Sequence, residues 1–294
     1  MSQSSPPICN YEGSDYQKSF WEEGGRVYED AVEGIALRRL LPEGGRFMLE
    51  LGAGAGRNTA RYKNYDRVAL VDYSRTQLEQ ARDRLGDSSR YLYIAADVYQ
   101  LPFADRRFDG ATMIRTLHHM AYPVLALSQV SRVMQTDGIF ILEFANKRNL
   151  KAIFRYMFKK QSWNPFSLEP VEFTELNFDF HPKSVRRYLK EAGFAIEKQL
   201  TVSHFRIGFL KKHLPTKILV FTDSTLQWTG QWLQYSPSVF SRCRAGHIGD
   251  MPAVESLFRC PVCHSSLPEI QSDLTCPQCG AIWQYRDGIY DFRR

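Results

Sequence analysis

Apolar and polar positions fall into blocks that read as alternating strands and helices. Phe47-Met48-Leu49-Glu50-Leu51 is an apolar run closed by an acid and a leucine, and it leads straight into Gly52-Ala53-Gly54-Ala55-Gly56. A second run, Val68-Ala69-Leu70-Val71, ends in Asp72. Ser74 and Gln77 then form a capping box, Leu78, Ala81 and Leu85 supply a helical stripe, and Gly86 closes that helix. Further strands are expected at residues 91–95, 110–115, 139–144, 194–203 and 239–244, with a helix at 182–192. Upstream, an aromatic amphipathic stretch covers residues 11–41 and stops at Leu41-Pro42-Glu43-Gly44-Gly45. Strand–helix alternation of this kind predicts a doubly wound parallel sheet, with a ligand crevice at the carboxyl ends of its strands.

The glycine run marks where that crevice binds. Alternate glycines permit positive φ and remove the Cβ atoms that would hold a ligand away from the backbone. A dinucleotide fingerprint, G-x-G-x-x-G, would need its third glycine at position 57, which is Arg57. The pattern here is acid-x-G-x-G-x-G, and a carboxylate at Glu50 suits a ligand bearing an ammonium and a sulfonium rather than a pyrophosphate. Asp72, sixteen residues after Gly56, is placed to receive ribose hydroxyls. These residues favour S-adenosylmethionine.

In this respect the chain resembles the class I S-adenosylmethionine-dependent methyltransferases, and the likeness continues downstream. Asp97, in Ala95-Ala96-Asp97-Val98-Tyr99, looks like the family's third motif, whose acid contacts the adenine amino group. Residues 108–119 look like its fourth strand, and residues 132–143 like the usual helix end, glycine turn and fifth strand. The resemblance covers residues 11–245 and implies a seven-stranded Rossmann-like sheet. It implies cofactor-binding roles for Glu50, Gly52, Gly54, Gly56, Asp72, Tyr73, Asp97, Val98 and Arg115. His118 and His119, at the end of the fourth strand, are the candidate catalytic or substrate-contacting residues. Methyl transfer needs alignment and exclusion of water more than a base, so no diagnostic catalytic dyad is required.

Near the other end, Cys260-Pro261-Val262-Cys263 and Cys276-Pro277-Gln278-Cys279 are two C-P-x-C knuckles separated by twelve residues. Each turn aims two thiolates at one point, and four fill a tetrahedral coordination sphere, so a structural zinc ion is expected at Cys260, Cys263, Cys276 and Cys279. Residues 258–294 are too few to bury a large core without it. Their ending, with Arg286-Asp287-Gly288-Ile289, resembles the zinc ribbon of the methyltransferase-activator family, which acts on RNA and protein methyltransferases as a separate subunit. The segment carries four basic and four acidic residues, which suits a brace or protein contact better than an RNA clamp.

Composition adds boundaries and leaves the acceptor open. In 294 residues with 44% apolar content there is room for a large α/β domain and a small one. No apolar run reaches the length of a membrane span and Met1 to Pro7 lacks the build of a signal peptide, which predicts a cytoplasmic protein. The expected organisation is a disordered leader at 1–10, the methyltransferase domain at 11–245, a linker at 246–257 and the zinc ribbon at 258–294. The net charge of +6 is concentrated in residues 147–217, which hold 15 Lys or Arg against 6 Asp or Glu. Within the insertion at 146–181, Leu150, Ile153, Phe154, Met157 and Phe158 follow helical spacing, with Lys151, Arg155 and Lys159 on other faces. That helix reads as a lid, a membrane-surface element, an RNA contact or a helix packed on the core. The apolar insertion, with the run Ser236-Pro237-Ser238-Val239-Phe240 similar to small-molecule methyltransferases, favours a small or lipid-like acceptor. The alternatives are an RNA substrate and a non-enzymatic scaffold that engages a protein partner through the ribbon.

Overall fold

A computed structural model describes residues 6–14, 19, 21, 23–246 and 256–293. Part of the expected leader, at 1–5, most of the expected linker, at 247–255, and residues 15–18, 20 and 22 of the expected aromatic stretch, Tyr16 and Phe20 among them, lie outside these residues.

The first half of the chain builds parallel strands β1 (Gly45–Leu51), β2 (Tyr65–Asp72), β3 (Tyr91–Ala95), β4 (Phe108–Met113) and β5 (Met134–Ala145). A two-stranded hairpin, β6 (Val171–Thr174) and β7 (Asn177–Asp179), stands apart. Strands β8 (Phe194–Val202) and β9 (Ser238–Ala245) return to the sheet, and β9 pairs antiparallel with both β5 and β8. The resulting order is β3-β2-β1-β4-β5-β9-β8. Successive strands are added to one side from β1 to β3 and to the other from β4 on, so the order switches between the parallel neighbours β1 and β4, the place where an open α/β sheet leaves a crevice.

Helices cover both faces. Alternate residues of β1 and β2 separate cleanly: Met48, Val68 and Leu70 face α2 (Arg75–Leu85), whereas Leu49, Leu51 and Val71 join the opposite core. On the first face lies α1 (Val27–Leu40), which starts well inside the expected 11–41 stretch because the chain turns through residues 23–25, with Gly25 at φ +63°. Ser74 caps α2 as expected, its hydroxyl accepting from Gln77 N at 3.3 Å. The other face carries α3 (Pro123–Val133) and, after α4 (Leu150–Met157), α5 (Pro182–Glu191). Two helices not foreseen in the sequence, α6 (Gly208–His213) and α7 (Thr216–Leu226), fill the connection from β8 to β9.

The C-terminal segment is continuous with this sheet. Short strands β10 (Phe258–Arg259) and β11 (Ser266–Leu267) form one arm, and β12 (Leu274–Thr275), β13 (Ile282–Arg286) and β14 (Ile289–Asp291) form the other. A tight turn at Asp287-Gly288, both at positive φ, folds β14 back on β13. β14 then pairs in parallel with β3, Ile289 beside Tyr93 and Asp291 beside Ala95, so a single sheet of ten strands runs from β12 to β8. Leu257, within the expected linker, is buried and its carbonyl accepts from Ala104 N at 2.9 Å. Phe258, Trp283 and Phe292 share a buried cluster with Leu92, Ile94 and Phe103. The seven expected strands are present, and the ribbon extends them through a common core.

Candidate functional site

The loop after β1 is shaped by its glycines. Gly52, Gly54 and Gly56 all have positive φ, at +64°, +52° and +71°. A Cβ at Gly52 would collide with Thr116 Oγ1, while the nearest atom to one at Gly54 is Gln77 Oε1 at 3.8 Å. Gly52 is thus a packing requirement, and Gly54 leaves open space beside bare backbone.

That space belongs to a pocket at the carboxyl ends of β1 to β4. Its floor is Gly52, Ala53, Gly54 and Ala55, and one wall is Asp72, Tyr73 and Gln77. Asp97, Val98 and Tyr99 form a second wall, and Arg115, Thr116 and His119 a third. Asp72 is held by the loop it serves: Oδ2 accepts from Gly54 N at 2.8 Å and Oδ1 from Ser74 N at 2.9 Å. Burial pushes its carboxyl above the ordinary aspartate value, and these amides oppose the rise. Asp97 caps the short turn at Val98–Gln100 through Tyr99 N at 2.8 Å, and burial raises its pKa too.

Of the expected cofactor-binding residues, Glu50 and Gly56 stand outside this lining and support it from beneath. The Glu50 carboxyl is buried beneath the loop, accepting from Thr59 Oγ1 at 2.6 Å and from Tyr62 OH at 3.4 Å. Burial pushes it up to about 7 against the pull of those two hydroxyls. A Cβ at Gly56 would press on Leu85 and Ala81 of α2. Both residues shape the loop from below.

The N-terminal segment closes the pocket from above. Pro7, Ile8, Cys9, Tyr11 and Trp21 all line it, so residues 7–9 of the expected leader contribute to the site. Glu12 fastens this segment to the start of α2, with its carboxylate accepting from Arg75 N and Thr76 N, each at 3.0 Å. Two guanidinium groups lie over the Trp21 ring, Arg57 at 3.6 Å and Arg115 at 4.8 Å from its centroid. Both arginines pair with buried Glu33 on α1, Arg57 Nη2 at 2.9 Å and Arg115 Nε at 2.8 Å. Burial would raise the Glu33 carboxyl, but the two guanidinium groups outweigh it and hold it below the ordinary value. Sequence reading missed Glu12 and Glu33; the available signal was Glu29 and Glu33 four apart on the face of α1 that buries Tyr28, Val32 and Ala36.

Of the two candidate histidines, only His119 lines the pocket, in the short turn at Leu117–His119. Its Nδ1 is 2.9 Å from the Leu176 carbonyl, which can only accept, so Nδ1 carries the proton. Nε2 is then an acceptor for Tyr11 OH at 3.1 Å. Burial lowers the pKa of His119, and burial, His119, Arg115 and Arg206 lower that of His118 well below the usual value. His118 sits behind its neighbour, the ring centroids 4.0 Å apart. His119 is therefore a neutral tie between the N-terminal segment and the β6–β7 hairpin.

The four predicted cysteines converge. Their Sγ atoms all lie within 4.8 Å of one another, with Cys260–Cys279 at 3.8 Å and Cys263–Cys276 at 3.4 Å. Four sulfurs at about 2.3 Å from one metal ion stand about 3.8 Å apart, so the donors fit a tetrahedral ion. The two knuckles repeat one backbone pattern: His264 N donates to Cys260 O at 2.9 Å and Gly280 N to Cys276 O at 3.0 Å. Both His264 and Gly280 have positive φ.

Two polar links join the C-terminal segment to the rest of the chain. Asp105 bridges Arg132 on α3 at 2.8 Å and Arg259 on β10 at 2.9 Å. Beyond β14, Arg293 donates to the Tyr73 carbonyl at 3.0 Å and to Glu12 Oε2 at 2.8 Å, touching the pocket wall and its N-terminal cover together.

Comparison with known proteins agrees with this geometry. Residues 49–142 match the model of a methyltransferase domain family. The chain is 31% identical over 150 residues to an O-methyltransferase of Penicillium expansum, covering 48% of this chain and 54% of that protein. It is 37% identical over 111 residues to a demethylmenaquinone methyltransferase of Chlamydia trachomatis, covering 36% and 48% respectively. The chain thus spans about half the length of these curated relatives. It matches 72% of a ubiquinone/menaquinone biosynthesis C-methyltransferase of Pseudomonas savastanoi, at 32% identity over 189 residues, 58% of this chain. Among solved structures, a complex between the Haloferax volcanii Trm112 methyltransferase activator and a methyltransferase aligns with TM-score 0.56 and 16% identity, over 79% of this chain and 96% of that one. A methyltransferase from Thermotoga maritima aligns with TM-score 0.53 and 21% identity, over 78% and 98%. The strand order, the glycine-floored pocket and the 32% identity over most of the Pseudomonas protein place this chain in the class I S-adenosylmethionine-dependent methyltransferase family.

Proposed function

We propose that this chain transfers the methyl group of S-adenosylmethionine to a small, apolar acceptor, with a zinc ion bracing the C-terminal ribbon. The observation that supports the reading is the pocket itself, where open backbone at Gly54 and two carboxylates on separate strand ends meet under an aromatic cover. S-adenosylmethionine supplies a methyl group on a positively charged sulfur, which leaves as a neutral thioether. Asp72 takes the ribose hydroxyls, and Asp97 with the Val98 amide region takes the adenine. Tyr73 walls the adenosine side and Arg115 the opposite one. Tyr11 and Trp21 exclude water, so alignment and desolvation supply most of the rate. His119, neutral and bonded through both nitrogens, positions the cover and is not required as a base. The quinones named for two relatives support an apolar ring as the nucleophile's carrier.

The ribbon's thiolates complete the coordination sphere, so its metal has no open position for substrate and acts structurally. Calorimetric titration with S-adenosylmethionine tests the pocket: saturable binding that Asp72→Ala weakens at least tenfold is expected, and no binding by wild-type chain overturns the reading. Elemental analysis should find one zinc per chain. Labelled-methyl transfer in fractionated extract should place counts in the solvent-extractable pool. Counts in RNA would favour instead a nucleic-acid acceptor held by the basic segment.

A further inference from the structure

Helix α4 is inside out. Its apolar stripe, Leu150, Phe154, Met157 and the following Phe158, faces solvent, with Met157 66% and Phe158 69% exposed, while Ala152 is the one buried residue of the helix. Exposed Lys151, Arg155 and Lys159 run directly alongside that stripe at four-residue intervals. A helix packed on a core would show the opposite arrangement.

The connection between β8 and β9 repeats the pattern. Phe209 on α6, Phe221 on α7 at 71% and Trp232 beyond it at 81% project from the surface, with Ile218 and Leu233 exposed between them. Lys212 and Lys217 are exposed beside them, and the only acid of residues 204–236, Asp223, is fully buried against Tyr28 and His204. Residues 147–168 contain six Lys or Arg and no Asp or Glu. The two regions are stitched together: Leu150 N donates to Tyr235 O at 2.9 Å, Asn146 Nδ2 to Gln234 O at 3.0 Å and Ser236 O at 2.8 Å, and the Arg148 guanidinium lies 4.9 Å from the Tyr235 ring. Ala145 ends β5 beside Ser238 at the start of β9, and Val202 ends β8 beside the same residue. Both regions therefore leave the sheet at its pocket end.

We propose that this surface binds the face of an anionic lipid bilayer, with Phe158, Phe221 and Trp232 entering the interface and the flanking lysines meeting the headgroups. Among the described residues no helix is long and apolar enough to cross a membrane, so the contact is peripheral. Aliphatic and aromatic side chains mixed with lysine, with no exposed acid within residues 147–168 or 204–236 and the first one, Glu169, just beyond, match a bilayer interface. A nucleic-acid surface could use the exposed aromatics and Arg155, but it would leave the aliphatic Leu150, Met157, Ile218 and Leu233 exposed among them without a partner, whereas a bilayer interface takes both kinds. A surface so placed brings the pocket end of the sheet to the lipid phase, where an apolar acceptor is dissolved; this last step rests on the function proposed above, whereas the binding surface does not.

The test is co-sedimentation of the full chain with vesicles of phosphatidylcholine alone and with an equal share of phosphatidylglycerol. Binding at least tenfold stronger to the anionic vesicles is expected, with quenching of Trp232 by lipids brominated near the headgroup end of their chains. Substituting Phe158→Ser together with Trp232→Ser should reduce binding at least tenfold, as should Lys159→Glu with Lys212→Glu. S-adenosylmethionine titration of the same samples should be unchanged in both variants, showing that they fold. Absence of anionic-vesicle binding, insensitivity to both pairs of substitutions, or binding to structured RNA in place of vesicles would overturn the proposal. Failure of cofactor binding with vesicle binding intact would instead remove only the methyltransferase reading.

Discussion

Replacing Phe258 by alanine should destabilise the whole chain, because this side chain belongs to the ribbon by sequence and to the methyltransferase core by contact. It is fully buried, with its ring 6.0 Å from Phe103, 4.8 Å from Tyr290 and 5.2 Å from Phe292. Truncating a buried phenylalanine costs about 3–5 kcal/mol in lost transfer energy and cavity formation. An unfolding entropy of about 2.1 cal/mol/K per residue gives about 0.6 kcal/mol/K for a chain of 294 residues, so Tm should fall by about 5–8 °C. Differential scanning calorimetry should show one transition in both proteins, displaced as a unit. Ile282→Ala, on the exposed side of β13, should move Tm by less than about 1 °C. Two transitions in the wild type, with only the smaller one shifted by Phe258→Ala, would refute the idea of a shared core.

Four further outcomes follow from the site. Gly54→Ala should weaken S-adenosylmethionine binding at least tenfold by calorimetry at a stability cost of about 1 kcal/mol from positive φ, whereas Gly52→Ala should cost about 2–4 kcal/mol through its collision with Thr116. Glu50, with a folded pKa of about 7, favours the protonated form; that stabilisation is complete below the ordinary glutamate range and is lost as pH rises through about 7, a change of roughly 3 kcal/mol. Urea denaturation of Glu50→Gln should show a correspondingly flatter decline between pH 5 and 8, and an unchanged slope would refute the assignment. Arg293→Ala, which unties Tyr73 and Glu12, should raise the Kd for the cofactor about tenfold, worth about 1.4 kcal/mol, with metal content intact. His119→Ala should raise KM for the acceptor and leave the pH–rate profile without a lost limb near 6.5, since its imidazole is already neutral and engaged.

The strands were legible because each is an apolar run with a defined stop, and the glycine loop because three φ-positive positions cannot be disguised. Asp72 and Asp97 followed from their place at strand ends. A one-letter pattern could not say on which side of the loop the Glu50 carboxyl lies; here it bonds Thr59 and Tyr62. Residues 7–9 carry no periodic signal, so their role over the pocket, beside the Glu12 carboxylate that holds the segment on the α2 amides, was invisible. The cysteine spacing disclosed that four thiols converge. It could not disclose that β14 finds β3, because parallel pairing across about two hundred residues leaves no local mark in either segment.

That pairing bears on how the protein comes to exist. β3 emerges early in synthesis, and its outer edge, with unpaired amides and the apolar Leu92 and Ile94, stays uncovered until β14 has been made and its hairpin closed. Such an edge is a template for pairing with other chains. A ribosome-bound or prematurely terminated product, however complete its methyltransferase motifs, is thus exposed to aggregation, and maturation waits for β14.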